Sequence, residues 1–431
     1  MFRIWWPLAA SWLLMGLELP LVSAIIARLP DQKLNLAAYG GIVFPICLVI
    51  EGPIIMMLAA STALCKDMES YRRLHRFMMI VSGGLTAIHV GLACTPLYGW
   101  VMPALFNVDP KVLELARPGL ILMLPWTWAI AYRRFQQGVL IRFGHTRAVS
   151  LGTLIRLSTN AGVLWLGATL ETGSGVVVAT TAVASAVMAE AIYAGLRVRP
   201  ILRGPLRLSP AAEKPLTLSR LLAFYVPLAL TPFFNLLTQP IGSIAMSNMP
   251  RSIASLALWP VVNGLVFLLR ALGYACNEVV VAQLEHPGTW HALRRFITWL
   301  SLVASGLLIA IAATPLGELW FGGVSDLEPE LVSFAKKAIW IPILMPALSA
   351  FQNWLQGILV HAHKTRAIPE SIFLSLVTIS IVLTAGVILD SVPGLYVTLS
   401  AVFLGSIVQT VWLTWRSRSV RAERRAQEPQ E

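Results

Sequence analysis

Charge is what this chain has least of. Asp, Glu, Lys and Arg make up 13% of its 431 residues, about half the share of a soluble domain. Too few charges are available to cover a globular surface, so a soluble fold is excluded. Cysteine is scarce as well. Cys47, Cys65, Cys94 and Cys276 are scattered, with neither metal-ligand spacing nor an evident pairing, and read as small apolar packing residues. The chain has no Walker motif, no HExxH, no GxSxG and no glycine-rich phosphate loop. Nor does it cluster a nucleophile with a base. An ATPase, an intramembrane hydrolase and enzymes generally are disfavoured, and no cofactor or metal is implied. The alternating ten-residue pattern of a membrane β-barrel is also missing.

Long apolar runs fill the space that charge leaves. Hydrophobic residues are 57% of the chain, and runs of about 20 of them, enough to cross a bilayer as a helix, recur along its length. Twelve spans are expected, at about 4–27, 36–64, 77–101, 118–141, 148–168, 175–196, 219–247, 253–281, 294–314, 338–360, 367–388 and 395–415. The first resembles a signal peptide, with Val22-Ser23-Ala24 as a cleavage site. Glu18 inside it, and its place in an internal repeat, argue that it is retained.

That repeat is written across the whole chain. Residues 7–30 return as 227–250, where Pro7, Pro20, Ser23 and Pro30 fall on Pro227, Pro240, Ser243 and Pro250. VDPKVLELA (108–116) returns as LEPELVSFA (327–335), and QGVLIRFGHTRA (137–148) as QGILVHAHKTRA (356–367). Six spans bring a chain back to its starting side. The expected fold is therefore an all-α polytopic membrane protein of twelve transmembrane helices, in two parallel six-helix bundles related by a pseudo-twofold axis along the membrane normal. The expected divisions are an N-lobe (1–196), a cytoplasmic linker (197–218), a C-lobe (219–415) and a basic cytoplasmic tail (416–431).

Orientation follows from the basic residues. With both termini in the cytoplasm, cytoplasmic segments hold 22 Lys/Arg. The outer loops hold seven: Arg28, Lys33, Lys111, Arg117, Arg251, Lys336 and Lys337. This asymmetry is the positive-inside signal of a cell inner or plasma membrane protein. The net charge of +12 is thereby absorbed by topology. The tail arginines are a lipid-headgroup anchor rather than a nucleic-acid site, and the chain is read as a monomer in the bilayer.

Charges inside the spans are costly and mark function or pairing. Eight fall within or at the ends of spans: Glu18, Glu51, Arg133, Arg134, Arg156, Glu190, Arg270 and Glu278. Polar residues join them at helical spacing. Asn263, Arg270, Tyr274 and Asn277 share one face of span 8, and Thr153, Arg156 and Asn160 one face of span 5. Span 7 offers Asn235, Thr238 and Gln239, and span 10 offers Ser349, Gln352, Asn353 and Gln356. Span 4 adds Gln136 and Gln137 beside Arg133. Such stripes describe a hydrated cavity, with helix-to-helix hydrogen bonding as the alternative. Arginine keeps its charge when buried and holds carboxylate or phosphate with two bonds. The expected substrate contacts are therefore Arg133, Arg156, Arg270, Asn263, Asn277, Gln239, Gln352, Asn353 and Gln356, for a small anion. The alternative is structural pairing: Glu51 and Arg270 hold equivalent positions in the repeat, and Arg134 and Arg156 can snorkel to the cytoplasmic face. Glu18, beside Pro20, is the first candidate for ion coupling by H+ or Na+, and Glu51 the second. Glu190 and Glu278 lie near cytoplasmic span ends and are expected to be solvated.

These residues carry a resemblance. Twelve spans in two halves, with a DPxVLxLA-like segment before span 4 and QGxL…TRA leaving it, resemble the multidrug/oligosaccharidyl-lipid/polysaccharide (MOP) exporter superfamily and its MATE-type fold. FYVPLAL (224–230), QPI (239–241) and EGP (51–53) look most like the progressive ankylosis protein family. The resemblance implies a secondary exporter working by alternating access, for anions of the citrate, pyrophosphate or nucleotide class. Two other transport functions stay open: a proton- or sodium-coupled multidrug antiporter, with Glu18 matching the acidic residue of the MATE branch, and a lipid-linked precursor flippase. A non-transporting membrane scaffold is the alternative from another class.

Overall fold

The computed structural model describes residues 1–170, 173–210, 215–284 and 289–426. Parts of the expected linker (211–214) and tail (427–431) lie outside the described residues. Every element among the described residues is helical, and helices stand at all twelve expected positions. Among the described residues, nine helices are long and apolar enough to cross a membrane: Trp5–Ala27, Gln32–Leu64, Met68–Cys94, Gly175–Leu208, Leu218–Ser247, Ser252–Val281, Trp290–Ala313, Ala367–Leu389 and Gly394–Arg416. The other three expected spans are interrupted or polar. The fourth is split at Met123 into Pro110–Leu122 and Leu124–Arg142. The fifth, Thr146–Thr169, carries Arg147 and Arg156. The tenth is split between Pro329–Ala338 and Met345–His361.

Prolines account for the breaks. Pro125 and Pro346 stand in the first turn after the two splits, where a missing N–H costs nothing. Pro20 has no N–H to give the Gly16 carbonyl, and the first span breaks at Leu17. Its repeat partner behaves differently. Leu218–Ser247 runs unbroken through Pro227, Pro232 and Pro240, so the break at Pro20 has no counterpart at Pro240.

The repeat survives at the level of single backbone angles. Asp31 and Arg251, 220 positions apart, both take the left-handed conformation, with φ 53° and 56°. Gly144 and His363, 219 apart, do the same. A Cβ built on Gly167 would meet Val178, and one on Gly386 would meet Val397, which are equivalent pairs. In lipid, helix association rests on such close backbone approaches rather than on hydrophobic burial.

The chain forms two compact units: Arg28–Ser243, and Met1–Ala27 with Ile244–Glu431. These differ from the expected lobes in where the first and seventh spans belong. In the second unit, Trp5 donates its Nε1–H to Leu272 O at 2.9 Å, and Pro20 packs on Gly264. In the first unit, the Tyr225 hydroxyl donates to Pro53 O at 2.6 Å, and Phe233 packs on Gly52. Trp5 and Tyr225 are repeat partners. Both carbonyls lie at helix interruptions, the turn Gly52–Ile54 and the break at Ala275, where helical partners are lost and a side chain replaces them.

Candidate functional site: a buried charge cluster

Three helices of the first unit build the cluster. Leu124–Arg142 brings Arg133 and Gln137, one turn apart on one face. Thr146–Thr169 brings Arg156, and Gly175–Arg203 brings Glu190. Arg133 Nη1 donates to Glu190 Oε2 at 2.6 Å, and Gln137 Nε2 to Oε1 at 2.8 Å. Arg156 Nε lies 3.3 Å from Oε2. The Glu190 side chain is 0% exposed, against 9% for each arginine. Both carboxylate oxygens therefore accept hydrogen bonds from Leu124–Arg142, and the Arg156 guanidinium of Thr146–Thr169 adds an ion pair.

Glu190 corrects an expectation. It was expected to be solvated near a span end, yet it is closed to solvent and neutralises two expected substrate contacts. The signal was present in the sequence. The nearest basic residue after it, Arg197, is seven residues on, about 10 Å deeper toward the helix end. Such a distance places Glu190 inside the apolar run rather than at its rim.

Arg134, read from the sequence as able to snorkel to the cytoplasmic face, is not among the expected substrate contacts. It sits next to Arg133, rotated about 100° round the helix. It is half-buried, and the charges that act on it are Arg133, Glu51, Glu190 and Arg156. Among the described residues it has no carboxylate at ion-pair distance, and its Nε has no hydrogen-bond partner. Three arginines thus face two carboxylates, Glu190 and the buried Glu51, and the excess charge falls on Arg134.

The second unit carries a comparable arginine. Arg270 is half-buried, stands 5.7 Å over the Tyr274 ring, and has an Nε without a hydrogen-bond partner. Its backbone carbonyl receives the Ser349 hydroxyl at 3.5 Å. Other expected contacts are committed elsewhere. Gln352 donates to Ser406 O and Thr410 Oγ1, both at 2.9 Å, which ties its helix to Gly394–Arg416. Asn353 donates to Ser349 O on its own helix. Asn263, Asn277 and Gln356 are half-buried in this unit, and Gln239 is half-buried in the first. Glu18, also half-buried, is the first residue of Glu18–Ala27, where the helix N-terminus favours a carboxylate.

The described residues form an all-α architecture with nine helices long and apolar enough to cross a membrane, and structural comparison shows the fold of MATE transporters. An inward-facing multidrug-resistance MATE family transporter of the MOP superfamily matches with a TM-score of 0.73 at 12% identity, over 96% of this chain and 98% of that one. The lipid II flippase MurJ, in an inward closed conformation, matches with a TM-score of 0.68 at 12% identity, over 95% and 87%. A MOP superfamily transporter from Pyrococcus furiosus, whose reversed pocket polarity suggests a different function, matches at 0.58 and 14% identity, over 97% and 96%. No protein-family model matches the chain, and no curated protein matches it in sequence.

Proposed function

We propose that this chain is a secondary transporter of a small organic or phosphate-bearing anion, working by alternating access. The carrying observation is Arg134, a half-buried guanidinium without a carboxylate partner in a cluster where arginines outnumber acids. A buried charge needs an opposite charge or hydrogen bonds, and a planar fork meets carboxylate or phosphate with two. Arg270 supports the reading from the second unit. Arg133 and Arg156 hold Glu190 and act as its positioning partners. The citrate, pyrophosphate and nucleotide class of the progressive ankylosis resemblance fits such groups. The Pyrococcus furiosus neighbour supports the premise that this fold tolerates a change in pocket polarity.

Flux of citrate, pyrophosphate and nucleotides into proteoliposomes tests the proposal. Arg134→Ala and Arg270→Ala should each lower it. Unchanged flux in both overturns the anion site. A multidrug antiporter is the second reading, favoured by Glu18 at the head of its helix and by the MATE neighbour. In that case Glu18→Gln abolishes drug export and the arginine variants do not. Transport of a lipid-linked precursor, the flippase reading, would show as lipid-dependent flux insensitive to both sets of variants.

A further inference from the structure

We propose that a groove in the second unit holds one anionic glycerophospholipid. The groove has a volume of about 410 Å³ and runs between Trp290–Ala313 and Met345–His361. One wall is Arg294, Ile297, Thr298, Ser301 and Leu302, a single face of its helix; the other is Ala347, Leu348, Phe351 and Trp354. The helices are antiparallel: the Trp290 and Trp354 rings lie tilted against each other, with centroids 5.6 Å apart, while Ser305 accepts from Ala347 N at 3.1 Å.

This geometry sorts the groove by polarity. Arg294 and Trp354 stand at one end, and Leu302, Leu344 and Leu348 at the other. Arg294 is exposed and has no ion pair among the described residues. Trp354 is 4% exposed, and its Nε1 has no hydrogen-bond partner. The N-terminal end of Trp290–Ala313 adds its positive helix dipole to Arg294. From Arg294 to Leu302 the helix rises about 12 Å, close to the hydrocarbon depth of one leaflet. A phosphate at Arg294 and an acyl chain along the leucines match the two ends of the groove. This inference rests on membrane embedding and not on what the protein transports.

Native mass spectrometry of the full-length protein in detergent, supplied with phosphatidylglycerol or phosphatidylcholine, tests it. Phosphatidylglycerol should be retained in preference, and Arg294→Ala should lower its retention about fivefold. Arg295→Ala, the exposed neighbour outside the groove, should leave retention unchanged. Thermal unfolding confirms that each variant is folded. Equal retention of the two lipids, an Arg294→Ala variant that retains lipid like the unaltered chain, or an equal fall in Arg295→Ala overturns the site.

Discussion

Arg133 reaches Glu190 across 57 positions of sequence and meets its carboxylate at 2.6 Å, in a place where the acid has no contact with solvent. The pair, with Arg156 and Gln137, ties three helices of one unit together. A buried ion pair adds little net stability, but removing one partner strands the other. Glu190→Gln should therefore cost about 3–5 kcal/mol. The check is thermal unfolding in detergent, and an unfolding temperature equal to that of the unaltered chain would show the pair to be dispensable.

Arg134 and Arg133 should separate in their effects although they are adjacent. Arg134→Ala should leave stability nearly unchanged while lowering anion flux about tenfold or more, the worth of a charge-assisted bond to substrate. Arg133→Ala should lower stability first, because it strips Glu190 of a donor. Parallel unfolding curves and flux assays distinguish the two, and matching behaviour of the variants would sink the division of roles.

Two equivalent glycines sit where helices touch. A Cβ on Gly138 would fall 1.8 Å from Ser61 Oγ and 2.3 Å from Leu58 O, whereas one on Gly357 would fall 2.8 Å from Val280 Cβ and 3.1 Å from Asn277 O. Gly138→Ala should destabilise by about 1–3 kcal/mol or more, and Gly357→Ala by less. Adding Ser61→Ala should not rescue the first, since the Leu58 carbonyl is backbone. Gly84→Ala, with open space around it, should be neutral or mildly stabilising. Thermal unfolding of the four variants would reveal any other order.

Outside the spans, Lys336 donates to Glu318 at 2.6 Å, and that hydrogen bond, then the lysine's charge, holds the Glu318 carboxyl below the ordinary carboxylate range. A depressed acid stabilises above its ordinary titration range, and the contribution is lost as pH falls through the lowered value. Lys336→Met should return Glu318 to the ordinary range, as followed by carboxylate-detected NMR. A Glu318 titration that ignores the substitution would show that the contact does not persist in solution.

Much of the architecture was legible before any coordinate. The offset between Asp31 and Arg251 in the repeat reappears as a shared left-handed turn, and Pro125 and Pro346 mark the helix starts that follow two breaks. Less was legible in the site. Arg133 and Arg156 were readable as costly intramembrane charges, but their common partner Glu190 looked like a rim residue. Arg134 looked like a snorkelling neighbour, because one turn of helix gives no hint of which adjacent arginine finds a carboxylate. Gln352 stood in a polar stripe, yet its two bonds run to Ser406 and Thr410, more than 50 positions away.

The sequence alone determined that this is a duplicated, all-α chain built for lipid, because apolar run length, charge asymmetry and repeat offset are local or linear properties. Tertiary structure decided the rest: that Trp5 and Tyr225 anchor their spans on Leu272 and Pro53, that Glu190 consumes two arginines, and that Arg134 and Arg270 have no carboxylate at ion-pair distance among the described residues. Each of these is a contact between helices far apart in the chain, and the energy of a buried charge depends on what lies beside it in space.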